Sequence, residues 1–239
     1  DELKKESLEI GNWKLEIVLM GDHVTALPEE SLKNSKVDFV IVGGDFDFLL
    51  LNIANKLSGQ REFEGGVYYW EGNKIINSGK YDLQKHSLDD LPTIDRNLTK
   101  WKLYAYKNGN YKHTPGSYAM NARDCWWGKC SFCSWTTMFP GEKYRARSVE
   151  KALDEIGKLI KLGVKEVMED SGTLPIGEWL KVFCTGMIAR GYSEKVKISC
   201  NMRLNAIKDP ETWRRMKKAG FRMILFGFES ANQATLDKI

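Results

Sequence analysis

The run Cys125-Trp126-Trp127-Gly128-Lys129-Cys130-Ser131-Phe132-Cys133 places three of the five cysteines of this chain within nine residues. Thiolates are preferred ligands of zinc and of iron-sulfur clusters, and both centres normally take four ligands. A fourth ligand is missing nearby: His113 lies upstream across a Pro-Gly pair, and Cys184 and Cys200 fall in a predicted helix and at a predicted strand end. The pattern therefore favours a three-thiolate cluster in which one iron stays open to another ligand.

Two other interpretations of these cysteines stay open. The three thiols would form a closed structural zinc site if a distant Cys or His completed it, or they would simply be buried thiols. A disulfide is disfavoured, because the run holds an odd number of cysteines and nothing in the chain resembles a secretory signal. Whether the run binds iron or zinc is thus the first question about function.

The cysteine triplet, which ends in Cys130-Ser131-Phe132-Cys133, resembles the cluster loop of the radical SAM enzymes. In that family three thiolates hold a 4Fe-4S cluster, and the fourth iron chelates S-adenosylmethionine (SAM). The resemblance implies Cys125, Cys130 and Cys133 as the cluster ligands. The gap between the first two cysteines is one residue longer than the usual gap of the family, a spacing that occurs in some cobalamin-dependent members.

Composition and charge indicate a cytoplasmic protein. The chain has 239 residues with a net charge of +4, from 36 basic and 32 acidic side chains that are dispersed along it. Basic pairs such as Arg214-Arg215 are interpreted as solvated helix surface, so no nucleic-acid partner is predicted. No apolar run reaches the about 18–20 residues that a membrane-spanning helix needs.

The first sixty residues predict alternating strands and helices. After a charged helix over 1–8, we expect strands over 13–20 and 37–42 and helices over 28–32 and 46–57. Each strand ends at glycine and is followed by a helix, which is typical of a doubly wound parallel sheet. Two strands are too few for such a sheet, so we expect that the chain begins inside a domain.

The two glycine turns, with their flanking residues 21–30 and 38–45, resemble the last strand-turn units of the cobalamin-binding domain that precedes the barrel in cobalamin-dependent radical SAM proteins. The resemblance implies cobalamin as a cofactor, with Gly21, His23, Gly43 and Gly44 at its site. The alternative is ordinary turn chemistry, in which the glycines relieve backbone strain and His23 is a loop histidine. A cobalt-ligand motif is expected only before Asp1.

Residues 61–116 are predicted to connect two domains, and 117–239 to form the second. The connector holds a predicted hairpin over 67–76 with its turn at Gly72-Asn73. The domain boundary is placed in the proline-bearing span 88–95. From Ser117 onward, strand and helix alternate as in a partial, four-strand β/α barrel, with strands predicted over 117–121, 164–168, 196–200 and 221–228 and helices over 148–162, 177–190 and 209–218.

Polar side chains follow each of these strands, at the end where β/α barrels carry their reactive groups. Taken one at a time, each would pass for a strand-end cap. SAM presents an ammonium, which Glu169 or Asp170 would hold, and a carboxylate, which Arg203 would hold. Glu229 would take the ribose hydroxyls or the ammonium. The full predicted SAM site is Phe132 beside adenine, Glu169, Asp170, Asn201, Arg203 and Glu229.

Two further features bear on this site. Radical SAM enzymes usually carry a Gly-Gly-Glu motif after the second strand, where this chain has Glu169-Asp170-Ser171-Gly172, so the choice between the two acids stays open. Trp126 and Trp127 are interpreted either as walls that exclude water or as ordinary core. No catalytic residue beyond the cofactor ligands is predicted.

The resemblance implies one-electron reduction of the cluster, cleavage of SAM and a 5′-deoxyadenosyl radical that abstracts hydrogen from a substrate. Methylation of an unreactive carbon or phosphorus with cobalamin is the first hypothesis, and a cyclase or rearrangement enzyme the second. A methylthiotransferase is disfavoured, because residues 1–124 hold no cysteine for its extra cluster. The hypothesis from another class is a structural zinc-binding or inactive scaffold module.

The expected partners are a small-molecule or peptide substrate and an electron donor such as flavodoxin or ferredoxin. Radical SAM barrels have more strands than this sequence predicts, so the resemblance also implies a fragment of a longer protein. Such a fragment would leave an apolar strand edge open. The substrate is not specified by these residues.

Overall fold

The computed structural model describes residues 15–135 and 144–238. These residues divide into two compact units, one of 15–86 with 133–135 and one of 87–132 with 144–238. The helix predicted over 1–8 and the start of the strand predicted at 13 lie outside the described residues. Within the described ranges, no helix is long and apolar enough to span a membrane.

The first unit alternates short strands and helices, as the sequence predicted. The helices expected over 28–32 and 46–57 are confirmed to within one residue. In chain order the elements are β1 (Val18–Leu19), α1 (Asp22–Ala26), α2 (Pro28–Lys33), β2 (Phe39–Ile41), α3 (Phe46–Leu57), β3 (Val67–Glu71) and β4 (Lys74–Asn77).

The sheet of the first unit is mixed rather than parallel throughout. Its order is β1-β2-β3-β4, and only the pair β1-β2 is parallel. The hairpin that the sequence placed in the connector is hydrogen-bonded to β2 and therefore extends this sheet. It does so because Val67 packs, with no exposed surface, into the same core as Ile41 and Leu49.

The second unit begins with two short 3-10 turns, Leu88–Asp90 and Trp101–Leu103, and then alternates strand and helix. Ser148 caps the first long helix, because its hydroxyl accepts from the backbone N–H of Lys151. The elements are β5 (Gly116–Ala119), β6 (Ala122–Arg123), β7 (Arg145–Ala146), α4 (Val149–Lys161), β8 (Glu166–Glu169), α5 (Glu178–Ala189), β9 (Lys197–Arg203), α6 (Pro210–Lys218), β10 (Phe221–Gly227) and α7 (Gln233–Leu236).

The main sheet of the second unit is parallel, in the order β10-β9-β8-β5. This order confirms the predicted succession of strand-helix units, since each new strand pairs with the one before it. Apolar side chains of α4 and α5, such as Ile156 and Phe183, pack with Val167 of β8 and Ile198 of β9 in one core. The carboxyl ends of the four strands therefore lie along one edge, where ligands bind in such sheets.

A β-bulge separates the start of β10 from the rest of that strand. Phe221 pairs with Ile198, but Met223 pairs with Ser199, so Arg222 is an extra residue in the ladder. At the far end of the same pair of strands, Gly227 lies beside Arg203.

The extra residue, Arg222, is bound by a buried carboxylate at the amino end of the sheet. Glu166 has no exposed surface, and its Oε1 accepts from Arg222 Nε at 2.8 Å and Ser199 Oγ at 2.6 Å. Its Oε2 accepts from the backbone N–H groups of Lys112 and His113. Burial alone raises a carboxyl pKa, but the hydrogen bonds from Arg222 and Ser199 hold the pKa of Glu166 below its usual value.

A second buried ion pair ties the segment before β5 to α4. Arg96 Nη1 lies 2.6 Å from Glu155 Oε1, with both side chains about 95% buried. The same guanidinium donates to Ser117 Oγ and to the carbonyl of Tyr118. The position of β5, and of the loop that follows it, is thus fixed by charge-assisted hydrogen bonds.

Candidate functional site

The cysteine loop, Cys125–Cys133, follows β5 and β6 at the carboxyl edge of the sheet. Its first turn is shaped locally, since Asp124 has a φ of +70° and its Oδ1 accepts from the backbone N–H of Cys125 at 2.6 Å. Gly128 supplies a second left-handed residue, with a φ of +61°. The three loop cysteines are thiols and half-buried.

The other two cysteines belong to the core. Cys184 on α5 and Cys200 on β9 are almost fully buried. Burial raises the pKa of Cys184 to about 12, and burial together with the charge of Glu169 also raises the pKa of Cys200. Because only the thiolate binds metal, these two side chains are poor ligands and the loop remains the candidate metal centre.

The three loop cysteines fall in two different units of the fold. Over residues 15–135 and 144–238, no three His, Cys, Asp or Glu side chains are close enough to hold a metal ion. Cys125 and Cys130 belong to the second unit, and Cys133 to the first. The assignment of all three as ligands of one cluster therefore stays a prediction.

Glu169 ends β8 with one oxygen satisfied and the other not. Oε1 accepts from the backbone N–H of Asn121 at 3.1 Å and from the hydroxyl of Ser171. Oε2 is buried and has no partner among the described residues. Burial raises the pKa of Glu169 to about 7, with a smaller contribution from the negative charge of Asp170.

Two further buried side chains near the end of β8 hold polar atoms without a partner among the described residues. Asn121 is 1% exposed, and neither its Nδ2 nor its Oδ1 has a partner in the described part of the chain; the same holds for Thr173 Oγ1. Buried polar groups in proteins are normally hydrogen-bonded, so three such side chains at one strand edge indicate a missing polar ligand. SAM, with its ammonium, carboxylate and hydroxyl groups, fits this donor and acceptor set.

Asp170 differs from Glu169 because it already has partners. Its Oδ1 accepts from Asn201 Nδ2 at 3.1 Å, and its backbone N–H donates to the carbonyl of Ala119. The carbonyl of Asn201 in turn accepts from the backbone N–H of Leu174. Asn201 and Asp170 are therefore in contact, and they connect the ends of β8 and β9.

Arg203 lies over the indole of Trp127. Its guanidinium carbon is 3.6 Å from the ring centroid, and Lys129 Nζ is 5.2 Å from a ring centroid of the same indole. Within the described ranges neither Arg203 nor Lys129 has a carboxylate partner. The two cations therefore make a positive site at the end of β9.

The two tryptophans are not core residues, contrary to one of the two interpretations. Both are half-buried, and Trp126 Nε1 donates to the carbonyl of Leu174 at 3.1 Å. This bond attaches the cysteine loop to the segment after β8. Phe132 is 55% exposed, so a large part of its ring is accessible.

Glu229, after β10, is exposed and has a φ of +57°. A left-handed conformation in a residue other than glycine costs energy and is more frequent at functional sites. No described residue forms an ion pair with this carboxylate. Its contact with SAM stays a prediction.

The four residues assigned to cobalamin lie in the first unit. Gly21 and Gly43 have φ angles of +127° and +89°, and the backbone N–H of Gly43 donates to Thr25 Oγ1. Gly44 is buried, while His23 is exposed and 3.7 Å from Glu30 Oε1. The positive φ angles explain the glycines as turn residues, and cobalamin contact stays a prediction.

Sequence reasoning missed two side chains of the site, Asn121 and Tyr144. Asn121 lies two residues after the end of β5, so the rule that strand-end polar residues form sites could have identified it. The hydroxyl of Tyr144 donates to the carbonyl of Thr173. Burial raises the pKa of this phenol, and the charges of Glu169 and Cys125 raise it further, but no sequence motif marked this tyrosine.

Comparison with known proteins gives a family match for the second half of the chain. Residues 122–239 match the radical SAM superfamily. The match includes the three cysteines of the loop and the ends of β8, β9 and β10. It supports a radical SAM domain in this part of the chain.

Two curated relatives extend the similarity to most of the chain. An anaerobic magnesium-protoporphyrin IX monomethyl ester cyclase from Cereibacter sphaeroides is 30% identical over 231 residues, which cover 92% of this chain and 36% of the relative. An uncharacterized methyltransferase from Pyrococcus horikoshii is 27% identical over 235 residues, which cover 95% of this chain and 48% of the relative. The chain thus spans less than half the length of these two proteins.

Proposed function

We propose that the domain over residues 122–239 is the catalytic domain of a radical SAM enzyme, in which Cys125, Cys130 and Cys133 hold a 4Fe-4S cluster. The observation that carries the proposal is Glu169 Oε2, a buried carboxylate oxygen without a partner in the described structure, at the carboxyl end of β8. It lies in the segment that matches the superfamily, at the end of the strand that the acidic motif of the family follows.

The residues predicted for the SAM site have distinct tasks in this proposal. Glu169 accepts from the ammonium of SAM, and Asn121 and Thr173 bond its other polar groups. Arg203 donates to its carboxylate, and Glu229 accepts from the ribose hydroxyls. Phe132 packs beside the adenine ring, with its exposed face available for that contact.

When bound, the cluster and SAM supply the one-electron cleavage that starts radical chemistry. The chain contributes binding, orientation and exclusion of water. Trp126 and Trp127 cover the loop on the side of β8 and β9, as their contacts with Leu174 and Arg203 indicate. Water exclusion strengthens each charged hydrogen bond at the site.

The test is anaerobic reconstitution with iron and sulfide, followed by reduction in the presence of SAM. We expect about four irons per chain and formation of 5′-deoxyadenosine, detected by mass spectrometry. Cys130→Ala should lose both, whereas Cys184→Ala, a core substitution, should keep both. One zinc per chain with no 5′-deoxyadenosine would instead favour the structural zinc module.

We further propose that the radical chemistry is cobalamin-dependent methylation of an unreactive centre. The name of the Pyrococcus horikoshii relative supports a methyltransferase. The glycine turns at Gly21 and Gly43 would let a corrin approach the backbone. Retention of cobalamin through gel filtration, measured by its visible absorbance, tests this; a protein that elutes colourless after incubation with hydroxocobalamin contradicts it.

The second candidate is a cyclase, which the name of the Cereibacter sphaeroides relative favours. Both candidates cleave SAM, so 5′-deoxyadenosine alone does not separate them. SAM with an isotopically labelled methyl group does. Transfer of the label to a product supports methylation, and a product that has lost hydrogen without gaining the label supports cyclisation.

A further inference from the structure

The contact between Trp127 and Arg203 closes a ring of contacts around the end of β9. The indole N–H of Trp126 donates to the carbonyl of Leu174, and the N–H of Leu174 donates to the carbonyl of Asn201. Two residues further along β9, the guanidinium of Arg203 lies against the indole face of Trp127, which belongs to the cysteine loop. This closed series of contacts therefore holds Trp127 against Arg203.

Stacking determines which donors of Arg203 stay available. A guanidinium that lies on an indole contacts the indole with its flat face. Its N–H groups then point outward in the guanidinium plane and can still donate hydrogen bonds. The only hydrogen bond of Arg203 within the described residues is a 3.4 Å contact from Nη1 to its neighbour Leu204. The side chain is thus oriented and still able to bind a carboxylate.

The orientation of Arg203 favours ligand binding because a free arginine side chain would otherwise sample many rotamers. Arg203 is exposed, and an exposed arginine loses much of its rotamer freedom when a ligand fixes it. The indole removes part of that loss before the ligand arrives, and the ring quadrupole stabilises the cation without neutralising it. Preorganisation of this kind raises affinity without adding a contact to the ligand.

We propose that Trp127 is a positioning residue: its indole face holds the Arg203 guanidinium ready to fork to the carboxylate of SAM. The inference rests on the proposed function. It gives Trp127, which lies between the first two cysteines of the loop, a role in coenzyme affinity rather than in cluster ligation.

A double-mutant cycle on SAM affinity tests the proposal, with equilibrium dialysis of reconstituted protein as the measurement. We expect Trp127→Leu, which keeps apolar bulk and loses the ring, to weaken binding about tenfold, and Trp127→Phe to stay within about threefold. In an Arg203→Met background, Trp127→Leu should cause no further loss. Trp70→Ala, which removes an exposed tryptophan of β3, is the control and should bind as wild type.

Two further readouts separate positioning from folding. With deoxyadenosine formation as the assay, Trp127→Leu should raise the KM for SAM and leave both the turnover rate and the iron content unchanged. Additive losses in the double mutant, or loss of iron in Trp127→Leu, overturn the inference while the proposed function stands. A wild-type protein that holds its cluster but binds no SAM overturns the proposed function, and this inference with it.

Discussion

Asn201 donates through Nδ2 to Oδ1 of Asp170 over 3.1 Å, and this hydrogen bond occupies the acid that directly follows Glu169. Of the two neighbouring carboxylates, Asp170 is half-buried and bonded, whereas Glu169 is buried with one oxygen unsatisfied among the described residues. The structure thereby favours Glu169 over Asp170 as the partner of an incoming ammonium, a choice that the sequence left open.

Glu169→Gln should weaken SAM binding about tenfold to a hundredfold, since a hydrogen bond to a charged partner contributes about 1.5–3 kcal/mol. Asp170→Asn is the matched control, because its side-chain oxygen still accepts from Asn201; we expect less than about a threefold loss. Equilibrium dialysis of the reconstituted proteins measures both. Equal losses in the two variants would contradict the assignment.

SAM affinity should rise as the pH increases through about 7, where Glu169 loses its proton. Burial raises this pKa, and the charge of Asp170 adds to it; Tyr144 and Cys200 are the other titratable groups nearby. A neutral carboxyl attracts the ammonium less than a carboxylate does. Dialysis across this pH range should show the rise in wild type and a flat profile in Glu169→Gln, and a rise that persists in the variant would refute the explanation.

The same titration should lower the free energy of unfolding as the pH rises. The folded-state pKa lies above the usual value of 4.5, so the folded protein binds more protons between these two values. The contribution is fully present below pH 4.5 and is lost as the pH passes about 7. Urea unfolding at several pH values gives the free energy of unfolding as a function of pH for wild type and for Glu169→Gln. The same dependence on pH in both proteins would count against the assignment to Glu169.

Arg96→Met should destabilise the protein by about 3–5 kcal/mol, because it leaves Glu155 as a buried charge without its partner. Arg190→Met is the contrasting variant, since Arg190 pairs with Glu150 and Asp154 at the surface, and it should cost no more than about 1 kcal/mol. Urea unfolding followed by circular dichroism measures both changes. If Arg190→Met lowered the free energy of unfolding as much as Arg96→Met, burial would not explain the importance of the Arg96–Glu155 ion pair.

Gly116→Ala should destabilise the start of β5 by about 1–3 kcal/mol, because the added methyl would clash with the ring of Tyr111, which is buried. Gly109→Ala is matched to it, with no atom within 4 Å of the new methyl. That variant should be neutral or slightly stabilising. Thermal unfolding of both proteins provides the comparison, and an unchanged melting temperature in Gly116→Ala would show that Tyr111 moves aside.

The regular elements were predictable because their signals are local. The Ser148 cap, the apolar stripe of α4 and the Asp209-Pro210 start of α6 are read from consecutive residues, and the structure confirms them. The succession of β5, β8, β9 and β10 followed from the same alternation. Glu169, Asp170, Asn201 and Arg203 could be named because each follows the end of a predicted strand.

Contacts between distant residues were not predictable in this way. The pairing of the 67–76 hairpin with β2 depends on the burial of Val67 in a shared core, which no local pattern specifies. The stacking of Arg203 on Trp127 joins residues that are far apart in sequence. The burial of the Asn121 amide, which has no partner in the described ranges of the chain, becomes visible only when its neighbours are known.

The extra residue in β10 has an effect at the opposite end of that strand. If Arg222 paired with Ser199, every later residue of β10 would pair one position further along β9, and Gly227 would no longer flank Arg203. A side chain in place of this glycine would clash with the carboxylate of Glu229. The hydrogen bonds from Arg222 to Glu166 at the amino end of the sheet thus set the pairing at the carboxyl end, whereas deletion of residue 222 would remove the bulge and keep that pairing.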